Sequence, residues 1–285
     1  MEVLDRQSCL YPELLQHIPS PPTQLWLEGA LPSPNTKLLA VVGSRALTSY
    51  GRHACESLIA GLEGYDVSIV SGLAFGADAC AHRAAMRAGL HTIAIPGSGL
   101  SPDALYPKSH YGLAQDILST GGALLSEHEP EHRAYPHDFP SRNRIMVGMA
   151  HAVLMIEAGE RSGTLITARM AGDYGRHLLC VPHRIGDANG FGSHIFLRIG
   201  ATVVTESEHI LEALHLEPRT PDTPRQLPLD LSEHELLLLS LLTEQHSRDE
   251  LIRSSTLPPH QVLSLLSTLE LKGLCTGELG LWKRI

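Results

Sequence analysis

The chain alternates short apolar runs with stretches in which apolar residues recur every three or four positions. Residues 38–42, Leu-Leu-Ala-Val-Val, form the first run and end in Gly43-Ser44-Arg45. That pattern predicts a buried strand and a tight turn. Cys55, Leu58, Ile59 and Leu62 then share one helical face. A second strand is predicted over 67–70, ending in Ser71-Gly72, an alanine-rich helix over 76–89, and a third strand over 91–95, closed by Pro96-Gly97. Further strands are predicted near 123–126, 152–156, 178–181 and 202–205, with helices between them. Strands alternating with helices require right-handed crossovers. The expected fold is therefore α/β, a doubly wound, mostly parallel sheet over 36–216, preceded by a short lead-in over 1–35.

Residues 217–228 carry four prolines and read as an extended, fairly stiff linker. Residues 229–285 follow with three helical stretches, near 232–243, 247–254 and 259–272, and a hairpin ending near Trp282. Three helices and a hairpin suggest a small winged-helix-like domain, a shape that often sets its third helix in a DNA groove. Here that helix offers Gln261, Ser264, Ser267, Thr268 and Glu270, with Lys272 as its one cation. It is poorly equipped for duplex phosphates, and a protein-binding or dimer-adjusting role suits it better.

Charge changes the picture less than its sum suggests. The net charge is −9, and each of residues 36–216, residues 229–285 and the remainder carries −3. Any phosphate-binding surface must then be a local patch. Arginines outnumber lysines 18 to 4, and arginine's planar fork suits phosphate and flat rings. The five cysteines are scattered and never form Cys-x-x-Cys, which suits a reducing cytoplasm and argues against disulfides or a thiolate zinc site. No apolar run approaches the roughly 18 residues of a membrane span. The opening Met1-Glu2-Val3-Leu4-Asp5 lacks a signal-peptide pattern. A cytoplasmic protein without a membrane partner is expected.

Candidate chemistry gathers where an open parallel sheet places its ligands, at the carboxyl ends of the strands. Four glycine-rich or polar turns fall there: Gly43-Ser44-Arg45, the segment from Ser71-Gly72 to Asp78, Pro96-Gly97-Ser98-Gly99, and Arg161-Ser162-Gly163-Thr164. Glycines let backbone N–H groups approach an anion, and a helix start adds partial positive charge. Any one turn suits a purely structural role equally well, whereas four at one sheet edge favour an anion site. No Gly-x-Gly-x-x-Gly follows the first strand and no Gly-Lys-[Ser/Thr] occurs, which argues against dinucleotide and P-loop chemistry.

The segment 139–145, Phe-Pro-Ser-Arg-Asn-Arg-Ile, combines an aromatic ring, two arginines and an amide. Aromatic plus cation is how single-stranded nucleic acid is held. The alternative is that Arg142 and Arg144 pair with the acidic run 127–131 while Phe139 joins the core. His128, His132 and His137 stand among Glu127, Glu129 and Glu131, but the spacing fits no standard metal-ligand set, so a solvated loop is expected there. Asp78 and His82, four residues apart, are expected to brace the loop after the second strand.

Taken in order, Val42-Gly43-Ser44-Arg45, Ser71-Gly72-Leu-Ala-Phe-Gly76-Ala-Asp78 with Ala81-His82, Phe139-Pro-Ser-Arg142-Asn143-Arg144, and Ser162-Gly163-Thr164 with Thr167-Ala168 resemble the DprA (Smf) DNA-processing family. The resemblance runs from about residue 11 to 213. The tail ending Glu270-Leu-Lys-Gly-Leu is similar to that family's C-terminal module. The resemblance implies an extended Rossmann-like fold and a homodimer that binds single-stranded DNA without chemistry on it, with no catalytic residue, cofactor or metal, and that loads the RecA recombinase during natural transformation. By position, Arg45 would clamp phosphate, with Gly43 and Ser44 beside it. Phe139 would stack on a base, and Arg142 and Asn143 would line the groove. Ser162, Gly163 and Thr164 would complete the cradle, with Gly72 and Arg144 also in the set.

Two departures stand out. The family's Val-Pro-Gly is Val181-Pro182-His183 here, and its Gly-x-Asn-x-Leu-Ile is the run from Gly192 to Leu197 with His194 at the amide position. Two imidazoles in that groove wall are expected to take a proton near pH 6.5 and strengthen phosphate binding at lower pH. Two rival readings remain. The same fold resembles phosphoribohydrolases with Pro-Gly-Gly-x-Gly-Thr-x-x-Glu, but Thr167 stands where the catalytic Glu would be, removing the general acid/base. A duplex reader acting through 229–285 is weakened by that segment's acidity.

Overall fold

Leu38, Ala40 and Val42 face one side of the first parallel strand, and Leu39 and Val41 face the other, all within apolar clusters. A strand buried on both faces must be covered by helices on both, and the rest of the fold follows from that. The computed structural model describes residues 1–217, 231–242, 246–255, 257–272, 274–278 and 281–284. The chain divides into two compact units, Met1–Pro218 and Arg219–Ile285.

The larger unit runs β1 (Glu2–Asp5), α1 (Glu13–Gln16), β2 (Gln24–Gly29), β3 (Lys37–Val42), α2 (Ser49–Ala60), β4 (Val67–Ser71), α3 (Ala77–Arg87), β5 (His91–Ala94), α4 (Tyr111–Ser119) and β6 (Ala123–Ser126). It continues with α5 (Asp138–Met149), β7 (Ala152–Met155), α6 (Thr164–Asp173), β8 (His177–Cys180), α7 (Phe191–Arg198), β9 (Thr202–Val203) and α8 (Ser207–Ala213). The nine strands lie in the order β1-β2-β6-β5-β4-β3-β7-β8-β9. From β6 to β9 every pairing is parallel. The chain winds outward from β3 to β6, returns, and winds outward again from β7 to β9. This is the expected doubly wound sheet.

The lead-in contributes more than expected. β1 and β2 pair antiparallel with each other, and β2 pairs antiparallel with β6. Leu25 and Leu27 alternate into the core, and the pair covers a sheet edge that β6 would otherwise leave open. Tyr11 Oη donates to Pro22 O at 2.8 Å and pins the connection between the two strands.

One face of the sheet carries α5, α6, α7 and the short α1, through residues such as Ile145, Ala168, Phe196 and Leu15. The other face carries α2, α3 and α8, through Ile59, Ala84 and Leu211. Gly76 has φ +72°, and a Cβ there would stand 2.2 Å from Ser44 O. Glycine therefore lets the turn before α3 lie against the turn after β3, joined by the Ala77 N–H donating to Ser44 O at 3.0 Å.

The smaller unit holds α9 (Glu233–Leu241), β10 (His246–Ser247), α10 (Arg248–Ser255), α11 (Pro259–Leu271), β11 (Cys275–Glu278) and β12 (Leu281–Arg284). β12 is the middle strand of a three-stranded sheet with β10 and β11. Leu238, Leu251, Val262, Leu266 and Trp282 form its core, giving the expected three helices and hairpin. Ser232 caps α9 in a capping box with Glu235. The proline-rich linker expected over 217–228 lies outside the described residues except for Glu217.

Candidate functional site

The strand order reverses between β3 and β7, so their following turns diverge and leave a crevice, as open α/β sheets do. A cleft of about 860 Å³ opens there. It is lined by the turn after β3 from Gly43 to Ala46, by Ala74 and Asp78, by the first turns of α5, and by residues 161–167 around the start of α6.

Its floor is built on Arg142. This residue is almost fully buried, and its Nη1 donates to the carbonyls of Gly72, at 2.5 Å, and Ile95. Its Nε donates to Asn143 Oδ1 at 3.1 Å. A side chain on Gly72 would occupy the guanidinium's place. Asp78 completes the arrangement by accepting the N–H groups of Gly72 and Ala74 at 3.1 and 3.2 Å. Burial pushes the Asp78 carboxyl upward, and the Arg142 charge and these N–H donors offset part of that. Burial lowers the Arg142 guanidinium to about 10 against the attraction of Asp78. Asp78 thus braces its loop as expected. His82 does not, because its ring turns to Thr92 of β5 instead.

One wall is made by hydroxyl and amide groups. Asn143 Nδ2 donates to Thr167 Oγ1 at 2.9 Å, and Thr164 Oγ1 donates to Gly43 O at 3.1 Å. Together they tie α5, α6 and the turn after β3. Ser162 Oγ accepts the Thr164 N–H at 3.2 Å, and α6 starts at this wall with the partial positive charge of a helix N-terminus. Gly163, its N-cap, has φ −60°, and a Cβ there would meet nothing within 4 Å. Neither backbone strain nor internal packing demands glycine at 163, and its smallness leaves the wall open.

The mouth carries the charge. The exposed Arg45 lies over the Phe139 ring, with Cζ 5.1 Å from the centroid. Phe139 is half-buried and rests on Gly97 and against Tyr106, whose ring centroid is 5.5 Å away. Arg161 is also exposed. Among the described residues neither Arg45 nor Arg161 has an ion pair or a side-chain hydrogen bond. Asp78 is the one carboxylate in the lining, and it is buried.

The structure thus brings Gly43, Ser44, Arg45, Phe139, Arg142, Asn143, Ser162, Gly163 and Thr164 together. It does not bring Arg144 or Gly72 with them. Arg144 is held by the Glu127 carboxylate and by Ser20 O at 2.5 Å, so of the two arginines only Arg144 pairs with the acidic run. Gly72 serves the buried guanidinium rather than the cleft surface. His183 and His194 are also elsewhere. The His183 side chain has no exposed surface, its Nδ1 donates to Val181 O at 3.0 Å, and its Nε2 is 4.0 Å from the buried Glu157. His194 Nε2 donates to the His183 carbonyl at 3.0 Å. Neither lines the cleft, so the geometry of the described residues lends no support to a pH-sensitive groove wall. Tyr106 was not foreseen: it lies in an irregular stretch before α4, where periodicity gives no signal.

A doubly wound sheet with an arginine-rimmed cleft at its switch point defines a Rossmann-like α/β protein. The chain belongs to the DNA recombination-mediator protein A family, whose model matches residues 2–215, and the DprA winged helix domain model matches residues 221–280. It is 37% identical over 283 residues to Protein Smf of Escherichia coli K12, covering 95% of this chain and 74% of that protein. It is 40% identical over 201 residues to DNA processing protein DprA of Streptococcus pneumoniae R6, covering 70% of each. The X-ray structure of the Streptococcus pneumoniae protein superposes with a TM-score of 0.70 at 38% identity, over 74% of this chain and 73% of that one. DNA processing protein A from Helicobacter pylori, solved for insight into its single-stranded DNA binding mode, gives a TM-score of 0.65 at 25% identity over 75% and 95% of the two chains.

Proposed function

We propose that the switch-point cleft binds single-stranded DNA without chemistry on it, and that the protein protects the strand and delivers it to the RecA recombinase during natural transformation. The observation that carries this reading is the Arg45–Phe139 pair, a guanidinium with no ion pair among the described residues, 5.1 Å from an aromatic centroid at the cleft mouth. A base stacks on such a ring while the cation meets the adjoining phosphate. The α6 start and the hydroxyls of Ser44 and Ser162 supply further donors for the backbone. The Helicobacter pylori relative supports the ligand class. Family membership supports the partner, and a homodimer acting in the cytoplasm belongs to the same reading.

Hydrolysis finds little support in the cleft. Thr167 accepts from Asn143 where a catalytic carboxylate would be needed, and Asp78 is committed to two backbone N–H groups. Duplex reading by the smaller unit is also disfavoured, because Lys272 is spent on Glu235 at 2.7 Å. The test has two arms. Fluorescence anisotropy should show binding to a labelled dT oligomer well above that to matched duplex. RecA ATPase on single strands precoated with single-strand-binding protein should then rise when the protein is added. Equal affinity for duplex would refute the cleft reading, and an unchanged ATPase would refute the delivery step.

A further inference from the structure

We infer that His128, His132 and Asp138 form a binding site for one divalent transition-metal ion of the zinc class, at the root of the helix that carries Phe139. The three residues each bring a ligand atom within 4.8 Å of the others. His132 Nε2 is 2.9 Å from Asp138 Oδ2, and His128 Nε2 is 3.8 Å from Oδ1. Ligand atoms about 2.0–2.1 Å from a tetrahedral ion stand about 3.3 Å from one another, and the two contacts, made to the two oxygens of one carboxylate, lie on either side of that value. The two imidazoles are stacked, with centroids 4.1 Å apart and planes 13° apart, so their edges address the same carboxylate.

Hydrogen bonding within the protein accounts for only part of this cluster. His132 donates to Asp138, and the Tyr135 N–H fixes the same carboxylate at 2.8 Å. His128 Nε2, however, is buried and has no hydrogen-bond partner among the described residues. Such an atom costs about 1–3 kcal/mol when left unmet and calls for an explanation. An ion shared with His132 and Asp138 supplies one. Two imidazoles and one carboxylate suit Zn²⁺, Co²⁺ or Ni²⁺ rather than Mg²⁺ or Ca²⁺. A second cleft of about 500 Å³, lined by both histidines with Glu129 and Glu131, gives a cation an acidic approach. The expected loop is therefore a half-buried cluster, and Asp138, the ligand that completes it, lies in the next element.

The test uses the full chain stripped with a chelator. Competition against a chromophoric chelator should show one Zn²⁺ equivalent, and Co²⁺ should give the strong visible bands of tetrahedral coordination. His128→Ala and His132→Asn should each weaken Zn²⁺ binding by about a hundredfold or more, beyond the loss from an outer-shell partner. His209→Ala, on a distant surface helix, should leave it unchanged. Two different substitutions keep the test decisive if one variant fails to fold. The proposal is overturned if no equivalent binds, if both variants bind like wild type, or if millimolar Mg²⁺ displaces the ion. Because the readout is metal alone, its failure leaves the DNA-binding reading untouched.

Discussion

Protonating His82 should loosen the larger unit from within. The residue is fully buried on α3, with Nδ1 2.8 Å from Thr92 Oγ1, and that hydroxyl donates its own proton to Ile69 O at 2.9 Å. The imidazole must therefore carry its hydrogen on Nδ1. Nε2 is left bare, with no partner among the described residues. A charged ring here loses water and meets Arg142, His110 and Arg83, so burial first and repulsion second lower its pKa from 6.5 to about 3. A base lowered by folding gives stability that is complete above the unfolded value of about 6.5 and is lost as pH falls towards 3. At about 1.36 kcal/mol per unit, pH 5 costs about 2 kcal/mol and pH 3 about 4 kcal/mol. The assay is urea unfolding at pH 7.5 and 5.0, in a Trp282→Phe background so that Trp26 fluorescence reports the larger unit. Wild type should lose about 2 kcal/mol more between these conditions than His82→Gln. Equal losses would refute the reasoning.

Other outcomes follow from the cleft. Arg142→Lys replaces a fork that serves Gly72, Ile95 and Asn143 with a point charge, and should cost about 2–4 kcal/mol by urea unfolding as buried acceptors lose their donors. A loss below about 0.5 kcal/mol would contradict that. Gly163→Ala should change stability by less than about 1 kcal/mol yet weaken single-strand binding by anisotropy, because the new methyl projects into open space; unchanged affinity would show that this wall is not used. Among the described residues no imidazole lines the cleft, so affinity should not rise as pH falls from about 8 to about 6, and a rise would return His183 or His194 to the site.

The parallel strands were legible because each is a short apolar run buried on both faces and punctuated by a turn. β1 and β2 were not, since a few alternating residues such as Leu25 and Leu27 do not name a partner almost 100 residues away. In the segment 139–145 the sequence displayed the right residue types without their directions. Arg142 and Arg144 are two positions apart, about 200° around a helix, so one helix cannot aim both at one cleft. The arginine that faces inward became the floor, the other paired with Glu127, and the exposed cation came from Arg45 on a different turn. The histidine cluster was hidden because its carboxylate partner is Asp138 rather than any of the interleaved glutamates.

On the proposed reading the strand is held at the Arg45 mouth rather than by basic residues elsewhere. The most direct measurement is dT-oligomer affinity as a function of salt for wild type, Arg45→Ala and Arg144→Ala. Losing one charge-assisted phosphate contact of about 1.5–3 kcal/mol should weaken Arg45→Ala by about 10- to 100-fold and reduce the slope of log K against log salt by about 0.7. Arg144→Ala should follow the wild-type curve. Coincident wild-type and Arg45→Ala curves, or a larger loss in Arg144→Ala, would contradict the account.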